Sequence, residues 1–274
     1  MTPQITNNTT STINNRLSVQ VSLAGLSFLV TNQNNSKVKF FFEEHFENNL
    51  SPEELLFNIK DIISKHNDLQ FNIDEVNIVY ANNLYTVVPN SFFDQKKSSD
   101  YLKFNSKILA TDFIAFDTIE PYQLTIVYVP FVNINNFIFE KYGSFQYFHS
   151  STVLLESILS HEKNAFDPKI YIHVLKGSFD IIVVKTNSLE LCNTHSFKTP
   201  EDFIYYILFT LEQLKLNPET TEVILCGNIS EEDDNYQILY HYIRNIIFFS
   251  PEKPNLIITE LGLNHQDFLL KQLL

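Results

Sequence analysis

Three glycines stand at the ends of apolar runs: Ser22-Leu23-Ala24-Gly25, Val174-Leu175-Lys176-Gly177 and Ile224-Leu225-Cys226-Gly227-Asn228. A residue without a Cβ at such a turn lets backbone N–H groups come close to a phosphate. Lys176 adds a cation beside the second turn. Carboxylates to hold a divalent ion are missing from all three turns, and Asp180 comes only three residues after Gly177. The acidic run Glu231-Glu232-Asp233-Asp234 follows Ser230, which reads as the cap of a solvated helix start, with a divalent-ion site as the alternative. His149 and His265 recur at matching places before helical segments, which points to capping or packing rather than to catalysis. The remaining histidines have no ligand spacing, and no nucleophile elbow, Walker loop or dinucleotide fingerprint is present.

The elements that position these residues are written twice. In residues 17 to 82 an alternating strand from Leu17 to Leu23 is followed by strands Leu26 to Thr31 and Val38 to Phe42, with a turn-forming asparagine run between them. Ser51-Pro52-Glu53-Glu54 is a capping box with proline at the first helical position, and Leu55, Leu56, Ile59, Ile62 and Ile63 then share one face. An apolar strand, Val76 to Tyr80, completes the copy. Residues 169 to 228 repeat the order, with Thr199-Pro200-Glu201-Asp202 as the capping box and Val223 to Cys226 as the strand. Tyr205, Tyr206 and Phe209 make the second helix apolar on both faces, which predicts deeper burial for it.

Beyond the fourth strand the first half is longer by about thirty residues. These are assigned to an insertion at 84–121, with a strand ending at Pro89, an aromatic pair Phe92-Phe93 and a short helix around Asp94 to Phe104. The predicted organisation is a disordered tail at 1–15, a first unit at 16–166 carrying the insertion, and a second unit at 167–274.

Three strands, a helix, a strand and then further alternation is the order of a ribonuclease H-like unit, a mixed five-stranded sheet with strand order 3-2-1-4-5. Two in tandem make an α/β protein of actin-like ATPase architecture. Leu17-Ser18-Val19 with Gly25-Leu26-Ser27-Phe28, Tyr85-Thr86-Val87-Val88-Pro89 with Phe93-Asp94, Tyr101-Leu102-Lys103-Phe104-Asn105, and His149 resemble a Bacteroidota family of unknown function. Its members are similar in fold to actin-like ATPases, and the resemblance implies no activity.

That architecture supplies a test for nucleotide. ATP in the actin-like class sits between the halves on two acidic glycine turns and a glycine pair, with carboxylates holding Mg²⁺. Here the glycines Gly25, Gly177 and Gly227 remain and the acids do not. The sequence therefore argues against ATP hydrolysis, and the same missing acids argue against a two-metal nuclease. The expected function is a protein-binding scaffold or adaptor without a cofactor, meeting an unidentified protein partner through the insertion, with Phe92, Phe93 and Tyr101 as anchors. The alternative is a weak ATPase or kinase-like protein binding nucleotide or another small molecule at Gly25, Lys176, Gly177 and Gly227.

The totals exclude other classes. Thirty-two acidic against nineteen basic residues give a formal charge of −13, which repels nucleic acid. No run approaches the roughly 18 apolar residues of a membrane span, and no signal peptide opens the chain, so a cytoplasmic location is expected. A third reading makes Phe268, Leu269, Leu270, Leu273 and Leu274 an amphipathic membrane anchor. The two cysteines, Cys192 and Cys226, fall on strands separated by three spacings in the expected order, roughly 14 Å at about 4.8 Å each. They cannot form a disulfide at that distance.

Overall fold

The computed structural model describes residues 14–34, 37–104, 106–163, 166–249 and 268–273. The predicted tail, apart from Asn14 and Asn15, and His265 lie outside the described residues.

The first sheet is built from β1 (Asn15–Ser22), β2 (Gly25–Asn32), β3 (Lys37–His45) and β4 (Glu75–Ala81), with helix α1 (Pro52–Lys65) between β3 and β4. Both sides of the Ser51 capping box are made, Ser51 N–H to Glu54 Oε2 at 2.8 Å and Glu54 N–H to Ser51 Oγ at 3.3 Å. A cap of this kind is worth about 1 kcal/mol to the helix. After β4 come β5 (Tyr85–Pro89), α2 (Ser98–Lys103), β6 (Ala115–Ile119), β7 (Leu124–Tyr128), α3 (Val132–Tyr142), β8 (Gln146–His149) and α4 (Ser150–His161). The second unit runs through β9 (Lys169–Leu175), β10 (Ser178–Lys185), β11 (Ser188–Ser196), α5 (Pro200–Gln213), β12 (Glu222–Gly227), α6 (Asp234–Tyr242) and β13 (Asn245–Phe248), and α7 (Phe268–Gln272) ends the described chain.

Two five-stranded sheets result, β3-β2-β1-β4-β8 and β11-β10-β9-β12-β13. Each reads 3-2-1-4-5 within its unit, the order expected from the sequence. In each, the first strand pairs antiparallel with the second and parallel with the fourth. The residues between Tyr85 and Tyr128 add a third, three-stranded sheet, β5-β7-β6, with α2 against it. This added sheet continues past Pro121 through β7.

One hydrophobic core joins the halves. It holds Leu17, Phe28, Leu55, Ile59 and Tyr80 from the first unit with Tyr171, Ile182, Ile224 and Cys226 from the second. α7 sits at the junction, touching α4, β1 and β12, and buries Phe268, Leu269 and Leu270. That packing overturns the membrane-anchor reading, because the apolar face it needed is already covered by protein. No helix of the described residues is long and apolar enough to cross a membrane.

The second helix buries five residues to the four of α1, but its second face departs from expectation. α5 buries Phe203, Ile204, Ile207, Thr210 and Leu211, yet Tyr205 is 61% exposed and stacks on Phe209 with ring centroids 6.1 Å apart. Residues four apart on a helix cover each other, so this pair shields itself on the solvent side without a facing element. The acidic run after Ser230 differs too. The helix begins only at Asp234, and Asp233 Oδ2 accepts the Ser230 N–H at 2.6 Å, forming a turn rather than a helix start capped by Ser230.

Candidate functional site

The first hairpin of each unit points at the same seam. Ser22 pairs with Gly25 across Leu23-Ala24, and Leu175 pairs with Ser178 across Lys176-Gly177. The two glycines are therefore not equivalent: Gly25 opens a strand, whereas Gly177 is the second turn residue with φ +72°. A two-residue turn of that form requires a residue that tolerates positive φ, and glycine supplies it.

Between the turns lies a cavity of about 100 Å³ bordered by Ser22, Ala24, Asn82, Ser150, Lys176, Gly177, Asp180 and Thr194. A neighbouring one of about 40 Å³ is bordered by Gly25, Glu43, His45, His173, Lys176, Gly227 and Asn228. All four residues singled out for a nucleotide, Gly25, Lys176, Gly177 and Gly227, thus come together at one seam. The backbone of the molecule already accounts for two of the glycines. A Cβ on Gly25 would lie 2.9 Å from Glu44 O, and one on Gly227 would lie 2.3 Å from Val174 O. At Gly227 φ is +83°, and the next N–H, that of Asn228, donates to Val174 O at 2.7 Å. Close approach of β12 to β9 is thus the local reason for Gly227.

Among the described residues Asp180 is the one carboxylate bordering the larger cavity, and it is 3% exposed. His173 Nδ1–H donates to its Oδ2 at 3.0 Å, and the Thr194 hydroxyl donates to its Oδ1 at 2.5 Å. Thr194 Oγ1 also lies 3.0 Å from the Tyr85 hydroxyl, which is 3.5 Å from Cys192 Sγ. Burial pushes the Tyr85 phenol well above its ordinary pKa, with the Cys192 and Asp180 charges adding to it. Burial likewise pushes the Cys192 thiol up to about 12. Both groups stay protonated, so neither is an activated nucleophile.

The Tyr85 ring rests on His149 at 4.5 Å between centroids. His149 is fully buried, its Nδ1 accepts the Ser151 N–H at 3.1 Å, and its Nε2–H donates to Asn82 O at 3.1 Å. That pattern fixes the neutral Nε2–H tautomer. Burial pushes its pKa down to about 4, against opposing effects of Asp180 and the Asn82 carbonyl. The histidine is a helix cap, as its sequence position suggested. Beside it Asp117 accepts from His149 N–H, the Thr152 hydroxyl and the Tyr128 hydroxyl, tying β6 of the added sheet to the start of α4. Burial raises the Asp117 pKa, with those three donors opposing.

These two networks were not read from the sequence. A signal for the first was available: a hairpin turn at Lys176-Gly177 puts His173 opposite Asp180, as the register shows. Asp117 and Thr152 gave none, since neither spacing nor periodicity brings them together. The candidate anchors divide. Phe92 is 74% exposed, whereas Phe93 packs against the buried cluster of Val88, Leu102, Val127 and Val129 and meets the rings of Tyr101 and Phe116. The Tyr101 hydroxyl donates to Phe92 O at 2.6 Å and accepts from Asp94 N–H, so it ties the loop together.

Residues 4–246 match the model of a family of proteins of unknown function, DUF3822. The chain belongs to that family. No curated protein matches it in sequence. Among solved structures, this DUF3822 chain is similar to a Bacteroides thetaiotaomicron protein of actin-like ATPase fold and unknown function. The two are 24% identical with a TM-score of 0.78, over 93% of this chain and 97% of that one. It is also similar to a chain of the PilM-PilN type IV pilus biogenesis complex, at 12% identity and a TM-score of 0.57, over 94% of this chain and 97% of that one. The DUF3822 chain has the actin-like ATPase fold.

Proposed function

We propose that this protein is a non-catalytic scaffold or adaptor of actin-like fold that acts by binding another protein in the cytoplasm. The observation that carries the reading is the state of Asp180. Asp180, the one carboxylate at the larger seam cavity among the described residues, is buried and already accepts from His173 and Thr194, so Mg²⁺ there would compete with both bonds and find no second acid. Size supports it as well: the cavity of about 100 Å³ is below the roughly 300–1,000 Å³ of ordinary ligand pockets. A chain of similar fold belongs to the PilM-PilN type IV pilus biogenesis complex, which supports partner binding as a use of the frame.

One observation favours the alternative of nucleotide or small-molecule binding. Lys176 is exposed at the seam among serine and asparagine side chains, an arrangement that suits a small anion.

Calorimetric titration with Mg·ATP separates the two. No heat and no melting shift at ~10 mM nucleotide is the expected result. A dissociation constant of ~100 μM would stabilise the fold by ~2.7 kcal/mol at that concentration and raise the melting temperature by several degrees, which would overturn the scaffold reading.

A further inference from the structure

A groove with a cavity of about 600 Å³ separates β5 from β11, and both are edge strands. Among the described residues, no strand pairs with the outer side of either. The hydrogen bonds that bracket each ladder fix which backbone groups face outward. Val129 N–H donates to Leu84 O and Asn90 N–H to Gln123 O, so in the antiparallel alternation Leu84, Thr86, Val88 and Asn90 turn toward β7. Tyr85 and Val87 therefore point their N–H and C=O away from it. On β11, Phe197 N–H donates to Gly177 O, which turns Asn193 and His195 toward β10 and leaves Cys192 and Thr194 facing out. The Thr194 N–H is taken by Asn193 Oδ1 at 3.0 Å, so Cys192 supplies the outward donor. Two rows of outward backbone groups thus border one groove, whose floor is held by the Tyr85, Cys192 and Thr194 contacts.

We propose that this groove is the partner site and that it takes an extended, basic segment of the partner protein as an added strand. The inference rests on the scaffold reading and names where the partner binds. A strand is the occupant because it answers rows of unpaired N–H and C=O on both sides, which a helix, with its backbone internally bonded, cannot do. Charge sets the rest. Among the described residues Glu190 is the charged one bordering the groove, and it is the extra residue of a bulge, between Leu189 paired to Val184 and Leu191 paired to Val183. With a formal charge of −13 on the chain, lysine or arginine opposite Glu190 is favoured and an acidic segment is repelled. Val87, Pro89, Leu124 and Leu189 line the groove and suit apolar side chains at alternate positions of the segment.

The test uses the full chain and three acetylated peptides: one alternating lysine and valine, its glutamate counterpart, and the lysine peptide N-methylated at alternate residues. Binding is read by fluorescence anisotropy and by hydrogen exchange at the Val87 and Cys192 amides. The proposal expects binding of the lysine peptide alone, slowed exchange at both amides, and at least a tenfold loss of affinity in Val87→Pro and in Glu190→Lys. Proline at 87 removes an outward N–H and leaves the β7 ladder intact, and a melting curve confirms that each variant is folded. Unchanged exchange at the two amides, or equal affinity for the N-methylated peptide, overturns it. Copurification from cells separates its failure from that of the scaffold reading. A partner retained by the wild-type chain and equally by both variants refutes the groove alone, and the absence of any partner on the wild-type chain refutes scaffold and groove together.

Discussion

Replacing His149 by asparagine isolates one buried proton site. Asparagine is a good helix cap and can keep the bond from Ser151 N–H, but it cannot titrate. In the wild-type chain the folded pKa of His149 is depressed from 6.5 to about 4. A depressed group contributes stability that is present above its unfolded pKa and lost as pH falls through its folded one. Protons bind the unfolded ring first, so folding loses about 1.4 kcal/mol for each pH unit crossed between those values, and between pH 7 and pH 4 the loss integrates to about 3 kcal/mol. Asp117 works in the opposite sense. Its pKa is raised by burial, so its contribution is present in acid and lost as pH rises, and it remains in both proteins. The assay is urea unfolding followed by circular dichroism at pH 7, 5.5 and 4. Loss of the ring's contacts with Tyr85 and Tyr128 lowers the variant's stability at every pH. The expected signature is therefore a gap that closes by about 3 kcal/mol toward pH 4, roughly 1 M urea at a slope of about 3 kcal/mol/M. Parallel curves for the two proteins over this range would refute the claim that His149 is held neutral.

Two contrasts test the reasoning at other positions by thermal melting. Gly227→Ala puts a methyl group 2.3 Å from Val174 O at φ +83° and is expected to cost 3 kcal/mol or more, whereas Gly177→Ala, with Phe197 O at 4.0 Å as its near neighbour, is expected to cost about 1 kcal/mol. Equal losses would mean that close approach of β12 to β9 is not what requires Gly227. Phe92→Ser, at an exposed ring, is expected to leave stability within about 0.5 kcal/mol, and Phe93→Ser to cost ~2 kcal/mol or more. Equal small losses would show that Phe93 is a surface residue after all.

The duplicated frame was legible because it rests on local signals. Both capping boxes and the hairpin turns before Gly25 and at Lys176-Gly177 depend on neighbours in sequence, and each formed, although Leu23, read as the end of the first strand, is a turn residue and Ser18, read onto its polar face, is buried. What stayed hidden depends on residues far apart. Phe93 and Tyr101 carry the same aromatic signal as Phe92, yet only the packing of α2 and β6 against that loop decides that the first two face inward. The α5 aromatics misled in the opposite direction, because an apolar second face can shield itself instead of being covered. Sequence showed that acids were missing from the turns. It did not show that Asp180 is drawn into a buried network with His173.

That network shows how the polar side chains at this seam satisfy one another. In the two-unit architecture the hairpin turns approach each other, and polar side chains brought there must be satisfied by a ligand, by water or by one another. Here Asp180, His173, Thr194 and Tyr85 bond among themselves across the junction of the units, and His149 extends the contact to α4. Breaking one partner of such a buried set costs more than the bond itself is worth, because it leaves a desolvated group unpaired. A ligand competing for Asp180 must therefore first undo its bonds to His173 and Thr194, and Thr194 in turn carries the contact with Tyr85 of the first unit. The same network fixes Tyr85 at the floor of the β5–β11 groove, so the bonds that satisfy the seam also brace the two strand edges that border the groove.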